Sequence, residues 1–503
     1  MLINRRGKIK AVFVGDAYEI PFDEILERSR EAKVRLRGYR LIHTHLRSPS
    51  LSHPDLVTLL SERLDLIGVI EVKPEGFAGK LQIAHMLPPN PRGDMWDVRE
   101  YQDIGRLNTN FDEFIVDLEN QIERSYRKFG GTTDKEGVFL VGFSTSSRYE
   151  AQDSIGELRE LALSADKIVL GKVEQVRKKP DPRYLVGKGK LEEIILRAKH
   201  LGANTLVFDV ELTPAQVRAI SDQTNLGVMD RTQLILEIFA SRANSSEGKL
   251  QVQLAQHRYM LPRLTGKGIE LSQLGGGIGT RGPGEKKLEE QRRMLRKRIE
   301  QLEKQIEKIG KRRQSGRKYR KETGIQTVTL IGYTCAGKST LFNTITKSDV
   351  LAEKRLFSTL TPTTRKMMLP SGKTILLTDT VGFIRDLPEE LMKAFRATLE
   401  ELGESTVLVH MVDSSDPQYD SKIESVENIL ASNGYDEIPT ILVFNKIDKI
   451  TESERLRLKQ IYNSPLVSAP DKTTFENFLL TLDAKINHSY DAPEQTETAG
   501  IVN

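Results

Sequence analysis

The run Gly332-Tyr-Thr-Cys-Ala-Gly337-Lys338-Ser339-Thr340 constrains this chain more than any other segment. It follows the apolar stretch Val328 to Ile331 and opens the helix-like Leu341-Phe-Asn-Thr-Ile. That order of strand, glycine loop and helix start is the context a P-loop requires. The glycines let successive backbone N–H groups wrap phosphates, Lys338 supplies a mobile positive charge to the outer phosphates, and the Ser339 hydroxyl can coordinate Mg²⁺. The whole loop, Gly332, Tyr333, Thr334, Cys335, Ala336, Gly337, Lys338, Ser339 and Thr340, is therefore expected to hold a nucleotide.

Partners suited to a guanine base follow in order. Asp379-Thr380-Val381-Gly382 ends the apolar run Ile375-Leu-Leu-Thr. That places a carboxylate where it can hold the Mg²⁺ shell, and the Gly382 amide where it can face a γ-phosphate. Asn445-Lys446-Ile447-Asp448 closes Thr440-Ile-Leu-Val-Phe. The Asp448 carboxylate can accept from both the ring N–H and the exocyclic amine of guanine, a donor pair adenine lacks, and an unpaired group there is costly. GTP is thus the expected substrate. Val467-Ser468-Ala469 ends a further apolar stretch, where a backbone amide could meet the guanine oxygen. Phe357-Ser358-Thr359-Leu360-Thr361 lies where a switch segment offers a hydroxyl to Mg²⁺; Thr359 is preferred over Thr361 and Thr363, so the metal ligands expected are Ser339 and Thr359. Lys338, Thr359 and Gly382 are the expected catalytic groups.

The residue after Gly382 is Phe383, where many small GTPases carry a glutamine that orients the attacking water. A phenyl ring cannot do this. Slow intrinsic hydrolysis that accelerates when a partner orders the switches is the expectation, with a packed core residue as the alternative reading of Phe383.

The 503 residues suffice for several domains with their own cores. A balance of 75 basic to 70 acidic residues is too mild to name a polyanionic partner, so the distribution of charge matters more. A single cysteine excludes a disulfide framework or a Cys-rich metal site, and no apolar run reaches membrane-spanning length. A cytoplasmic monomer without a membrane span is expected. The fold class is α/β and multidomain. Residues 1–145 read as an N-terminal α/β extension, 150–230 as a smaller α/β module, and 231–325 as a glycine-rich loop with a basic helical arm. Residues 326–487 read as the nucleotide domain and 488–503 as a disordered tail. Gly187-Lys-Gly-Lys190 lacks a P-loop and reads as an exposed turn, an ATP-dependent activity being the other reading.

Leu288, Leu295, Ile299, Leu302, Ile306 and Ile309 recur at three- and four-residue spacing, which places them on one helical seam. Lys286, Lys287, Arg293, Arg296, Lys297 and Arg298 are largely off that seam, and Lys311-Arg-Arg, Arg317-Lys and Arg320-Lys extend the charge. The excess over Glu289, Glu290, Glu300, Glu303 and Glu307 favours a phosphate backbone, and the scarcity of aromatics favours folded RNA over single strands. Just before the arm, Leu274-Gly-Gly276-Gly277-Ile-Gly-Thr-Arg281-Gly-Pro-Gly-Glu285 permits close backbone approach to a ligand.

Together, Gly276 to Glu285, Glu247-Gly-Lys-Leu-Gln-Val-Gln-Leu-Ala-Gln256, the GYTCAGKST loop and Asp379-Thr-Val-Gly-Phe-Ile-Arg-Asp-Leu-Pro388 resemble the HflX family of ribosome-associated GTPases over about residues 150–485. The resemblance implies a factor that docks at the large ribosomal subunit, is stimulated there, and splits stalled or stress-arrested ribosomes. Gly276, Gly277, Arg281, Lys286, Lys287, Arg292 and Arg293 would contact its rRNA. A GTP-dependent switch in ribosome assembly or RNA maturation, acting through another partner, is the competing function. Family members often carry asparagine where this chain has Cys335; a thiol is a poor K⁺ ligand, so little K⁺ stimulation is expected. Separately, His43-Thr-His45 and Ser52-His-Pro-Asp55 are similar to the HxHP and SxxD elements of JAB/MPN metal-dependent isopeptidases. Here Leu46 replaces the proline, the gap is one residue short, and no upstream glutamate is evident.

Overall fold

A computed structural model describes residues 1–15, 36–45, 50–90, 93–102, 110–128, 135–243, 245–264, 283–322, 325–347, 356–357, 362–385 and 402–488. The chain divides into two compact units, Met1–Arg231 and Thr232–Asn503.

The first unit opens with a six-stranded sheet built from β1 (Leu2–Asn4), β2 (Ile9–Ala11), β3 (Tyr39–Thr44), β4 (Leu66–Val72), β5 (Ala78–Met86) and β6 (Trp96–Tyr101) in the order β2-β1-β3-β4-β5-β6. Only β3 and β4 are parallel, so they need a crossover, and α1 (His53–Ser61) supplies it. That helix starts where Ser52-His-Pro-Asp dictates. Ser52 accepts from the Asp55 N–H, Asp55 accepts from the Ser52 N–H, and Pro54 occupies the first turn, where no backbone donor is missed. Helix α2 (Phe111–Lys128) buries Ile115, Leu118 and Ile122 at helical spacing against Leu41, Ile67, Ala84 and Met86 of the sheet and Leu59 and Leu60 of α1. Asp65, fully buried, accepts from the Arg5 guanidinium at 2.7 Å and from the Gly38 N–H at 2.9 Å.

A four-stranded parallel sheet follows, ordered β10-β9-β7-β8, from β7 (Gly137–Ser144), β8 (Ile168–Val176), β9 (Thr205–Phe208) and β10 (Gly227–Asp230). Its crossovers are α3 (Arg148–Ser164), α4 (Lys188–His200) and α5 (Pro214–Ser221). The strand Gly137–Ser144, counted in the first module by the sequence reading with its boundary at 145, pairs instead with β8 and β9 at the centre of this second sheet. It is buried on both faces, as a central parallel strand must be. Gly187 caps α4, and Lys190 in its first turn pairs with Glu193. The other end of that helix joins the two sheets: Leu196 enters the core of the first, and His200 donates from Nε2 to the Leu87 carbonyl at 2.7 Å.

The second unit begins with helices. α6 (Arg231–Arg242) starts at the boundary, and α7 (Ser246–Arg263) packs along α8 (Pro283–Glu322). Forty residues make α8 about 60 Å long at 1.5 Å per residue. Among residues 289–310, Leu295, Ile299, Leu302, Ile306 and Ile309 of the expected seam are less exposed, as are Arg292 and Glu303; Leu302 is fully buried, and Arg258 of α7 pairs with Glu303 at 2.7 Å.

The remaining sheet is ordered β12-β13-β11-β14-β15, from β11 (Thr327–Gly332), β12 (Thr363–Met368), β13 (Thr374–Asp379), β14 (Val407–Asp413) and β15 (Thr440–Asn445), parallel except for the β12–β13 hairpin. Helices α9 (Lys338–Thr346), α10 (Tyr419–Ser432), α11 (Glu452–Tyr462) and α12 (Glu476–His488) complete it. Its core gathers Val328, Leu330, Leu341, Phe342, Leu377, Val409, Val443 and Phe478. Among the described residues no helix is long and apolar enough to cross a membrane. The expected tail beyond His488 lies outside the described residues.

Asp209 follows β9 in the interior of the first unit, accepting from the Phe143 N–H at 2.9 Å. Burial pushes its carboxyl up to about 6 against the pull of that hydrogen bond. The folded state therefore binds this proton more tightly than the unfolded chain, so the contribution to stability is present below the ordinary Asp value and lost as pH rises through about 6. We expect the stability of Asp209→Asn relative to the parent to increase by about 2 kcal/mol between pH 4 and pH 7, read by urea denaturation. A pH-independent difference would show that Asp209 is not held in its protonated form.

Candidate functional site

Strand β11 carries the glycine loop at its C-terminal end. Gly332 sits at φ +136°, and a Cβ there would lie 2.2 Å from the Met411 carbonyl oxygen; Gly337 sits at φ +97°, with a Cβ 2.1 Å from Asn445 Nδ2. Only glycine fits either position. Gly337 is also the N-cap of α9 and offers no side chain to its first-turn N–H groups, which leaves those donors available to an anion. Lys338 is buried and donates from Nζ to the Gly332 carbonyl at 2.9 Å and the Tyr333 carbonyl at 2.8 Å. Burial lowers its pKa to about 8, with Asp379 and Cys335 pulling the other way. Cys335 is exposed at φ +61°, a left-handed turn that asparagine tolerates better than most side chains. Ala336, Ser339 and Thr340 continue the loop into the helix, with Ser339 largely buried.

Strand β13 delivers Asp379, fully buried, beside this loop, and Thr380 donates from Oγ1 to the Leu330 carbonyl at 2.6 Å. Beyond Val381 the chain runs against the loop itself. A Cβ on Gly382 would come within 2.8 Å of Thr334 Cα and 2.9 Å of Lys338 Nζ. The Phe383 carbonyl accepts from the Thr334 N–H at 2.7 Å, and the Phe383 N–H donates to the Gly332 carbonyl at 3.0 Å. The Phe383 ring is packed in the interior, and the Arg385 N–H donates to the Tyr333 hydroxyl. Ser358, Thr359, Leu360 and Thr361 lie outside the described residues. Phe357 is described: it is buried at φ +59°, with its ring centroid 4.6 Å from that of Phe239, and Arg242 donates to the neighbouring Leu356 carbonyl at 2.7 Å. Helix α6 thus holds the entrance to the expected switch segment.

Asn445 ends β15 and is almost completely buried. Its Nδ2 donates to the Ala336 carbonyl at 2.7 Å, and its Oδ1 accepts from the Ala469 N–H at 2.9 Å. Asn445, one of the residues expected at the nucleotide, ties the phosphate loop to the segment Val467-Ser468-Ala469. Of the backbone amides in that segment, the one of Ala469 donates to Asn445. Lys446 turns through φ +64° and pairs with Asp413 at the end of β14. Ile447 starts a short turn, and its N–H donates to the Val467 carbonyl at 3.4 Å. Asp448 accepts from the Ser468 hydroxyl at 2.8 Å, which orients one oxygen of the carboxylate. Asp413 was missed from the sequence, although its place at the tip of an apolar run was the available signal.

Of the expected RNA contacts, Gly276, Gly277 and Arg281 lie outside the described residues. Lys286 and Lys287 fall in the first turns of α8, and further along that helix Arg292 is half-buried and Arg293 exposed.

Three family models match consecutive segments. Residues 152–240 match a GTP-binding GTPase N-terminal region, 242–320 a GTP-binding GTPase middle region, and 327–446 a family described as 50S ribosome-binding GTPase. Among curated proteins, a GTPase HflX of Caldanaerobacter subterraneus subsp. tengcongensis is 44% identical over 353 residues, covering 70% of this chain and 81% of that protein. One from Alkalihalophilus pseudofirmus is 47% identical and covers 63% and 76%. The GTPase HflX of Escherichia coli K12 is 45% identical and covers 60% and 71%. With a P-loop domain of this geometry and relatives at such identity over most of their length, the chain belongs to the HflX family of GTPases and hydrolyses GTP.

Proposed function

We propose that this GTPase binds the large ribosomal subunit through its helical arm and uses GTP binding and hydrolysis to split or rescue stalled ribosomes. The observation that carries this reading is α8. It holds 16 basic and 7 acidic residues over about 60 Å, and the P-loop strand begins five residues after its last residue, Glu322. So concentrated a charge suits an RNA phosphate backbone, and so short a connection leaves little slack between arm and nucleotide. The match of residues 327–446 to a 50S ribosome-binding family supports the same partner.

In this reading the N–H groups of the loop and of the first turn of α9 cradle the phosphates, and Lys338 exchanges its two loop carbonyls for the outer phosphates. Asp448, oriented by Ser468, accepts both guanine donors. Ser339 and Asp379 bring a hydroxyl and a carboxylate, hard oxygen donors that fit Mg²⁺, with Thr359 as the further ligand expected from the sequence. When bound, that ion neutralises charge on the outer phosphates. Phe383 offers no polar group to an attacking water, and its backbone is paired with the loop. Fast turnover therefore requires a partner that rearranges this segment or adds a polar group. Within the unit, Leu356 and Phe357 contact Arg242 and Phe239 of α6, the helix that precedes α7 and α8, which supports a link between the switch segment and the arm.

Two outcomes are expected. Asp448→Ala removes both acceptors for the base and lowers GTP affinity about 100-fold, or ~3 kcal/mol, in equilibrium titration without improving ATP binding; unchanged GTP affinity would place the base elsewhere. In sedimentation with isolated subunits, the GTP-analogue form pellets with the large subunit, and its binding constant falls steeply with salt. Replacing Arg292 and Arg293 by glutamine makes that log–log slope shallower by about 1–2. Salt-insensitive binding, or a preference for another partner, would favour a switch in assembly or RNA maturation.

A further inference from the structure

The N-terminal sheet carries a cluster unrelated to the nucleotide site. His43 lies in β3 and is buried; His45, two residues on, faces the same side; Asp55 stands in the first turn of α1. The three side chains close a triangle. His43 Nε2 and His45 Nε2 are 2.9 Å apart, His43 Nε2 is 3.1 Å from Asp55 Oδ1, and His45 Nε2 is 3.3 Å from Asp55 Oδ2. One ligand atom from each residue lies within 4.8 Å of the others. A helix cap alone does not require this. The Ser52–Asp55 box already satisfies the start of α1, yet both imidazoles converge on the same carboxylate.

The surrounding contacts orient the donors. His45 Nδ1 is 3.0 Å from the Ser50 carbonyl. A carbonyl only accepts, so Nδ1 holds the proton and Nε2 presents a lone pair to the cluster. Asp55 Oδ2 accepts from the Ser52 N–H and hydroxyl, both at 2.7 Å, which fixes the carboxylate from behind. These are the outer contacts that orient metal ligands. Metal–ligand bonds of about 2.0–2.1 Å in a tetrahedron place the donor atoms about 3.3 Å apart, close to the separations found here.

We propose that His43, His45 and Asp55 form a binding site for a divalent transition metal of the zinc class, with one coordination position left to water. Two imidazoles and one carboxylate suit Zn²⁺ or Co²⁺, whereas Mg²⁺ takes an oxygen shell. Three protein ligands leave the fourth position of a tetrahedron open, and His45 and Asp55 are partly exposed, so solvent reaches it. Because its ligands belong to the first unit, the site stands or falls independently of the GTP reading.

The test is titration of the full chain, freed of metal by chelator and dialysis, with Co²⁺ alone. We expect one Co²⁺ per chain, with the visible absorption bands of a tetrahedral nitrogen and oxygen environment, and displacement by Zn²⁺ but not by excess Mg²⁺. Cys335→Ser should retain the spectrum, while His45→Gln and Asp55→Asn should weaken binding at least 100-fold with GTP affinity unchanged. The amide oxygen introduced by Asp55→Asn still accepts from Ser52 and keeps the helix cap, so that variant remains informative even if His45→Gln perturbs the fold. A parent protein without these bands, or one whose bands survive Asp55→Asn, would overturn the proposal.

Discussion

The second unit depends on one side chain. Asn445 reaches from the end of β15 to the Ala336 carbonyl on one side and the Ala469 amide on the other, and so fixes the spacing between the loop meant for phosphates and the segment beside the base. Both bonds are buried, where leaving either partner unpaired costs of order 1–3 kcal/mol. Gly337 is glycine for the same reason, since a Cβ there would collide with the Asn445 amide. The P-loop, Lys338 and Asp448 can meet one nucleotide because this tie sets the distance between them.

Two sets of contacts lie around the switch segments. The segment after Asp379 pairs through Phe383 with Gly332 and Thr334, so loop and switch share backbone hydrogen bonds. Phe357 and Leu356 rest on Phe239 and Arg242 of α6. The helices that follow carry the positive charge. In the proposed function, nucleotide binding at the phosphates and partner binding at the arm are coupled within this unit. Such coupling is reciprocal in binding free energy.

Much of this was legible in the sequence where local chemistry decides it. Gly332, Gly337, Lys338, Asp379 and Asp448 announced themselves through strand ends and spacing, and the α8 seam through its period. Contacts across long sequence separations did not. Nothing near Asn445 names Ala336, more than a hundred residues earlier, as its partner. The strand Gly137–Ser144 is apolar on both faces and fits the middle of any parallel sheet, so only its pairing with Thr205–Phe208 reveals where it belongs. His43, His45 and Asp55 were visible as a spacing, but their convergence depends on where the Ser52 cap starts α1.

The most direct test of the account is GTP turnover by the full chain, alone and with isolated large subunits, small subunits or intact ribosomes. The account predicts slow turnover alone, because Phe383 positions no water, and at least tenfold stimulation by large subunits or intact ribosomes but not by small subunits. A tenfold effect corresponds to about 1.4 kcal/mol of barrier. Fast turnover without any partner, or no stimulation by any ribosomal particle, would contradict it.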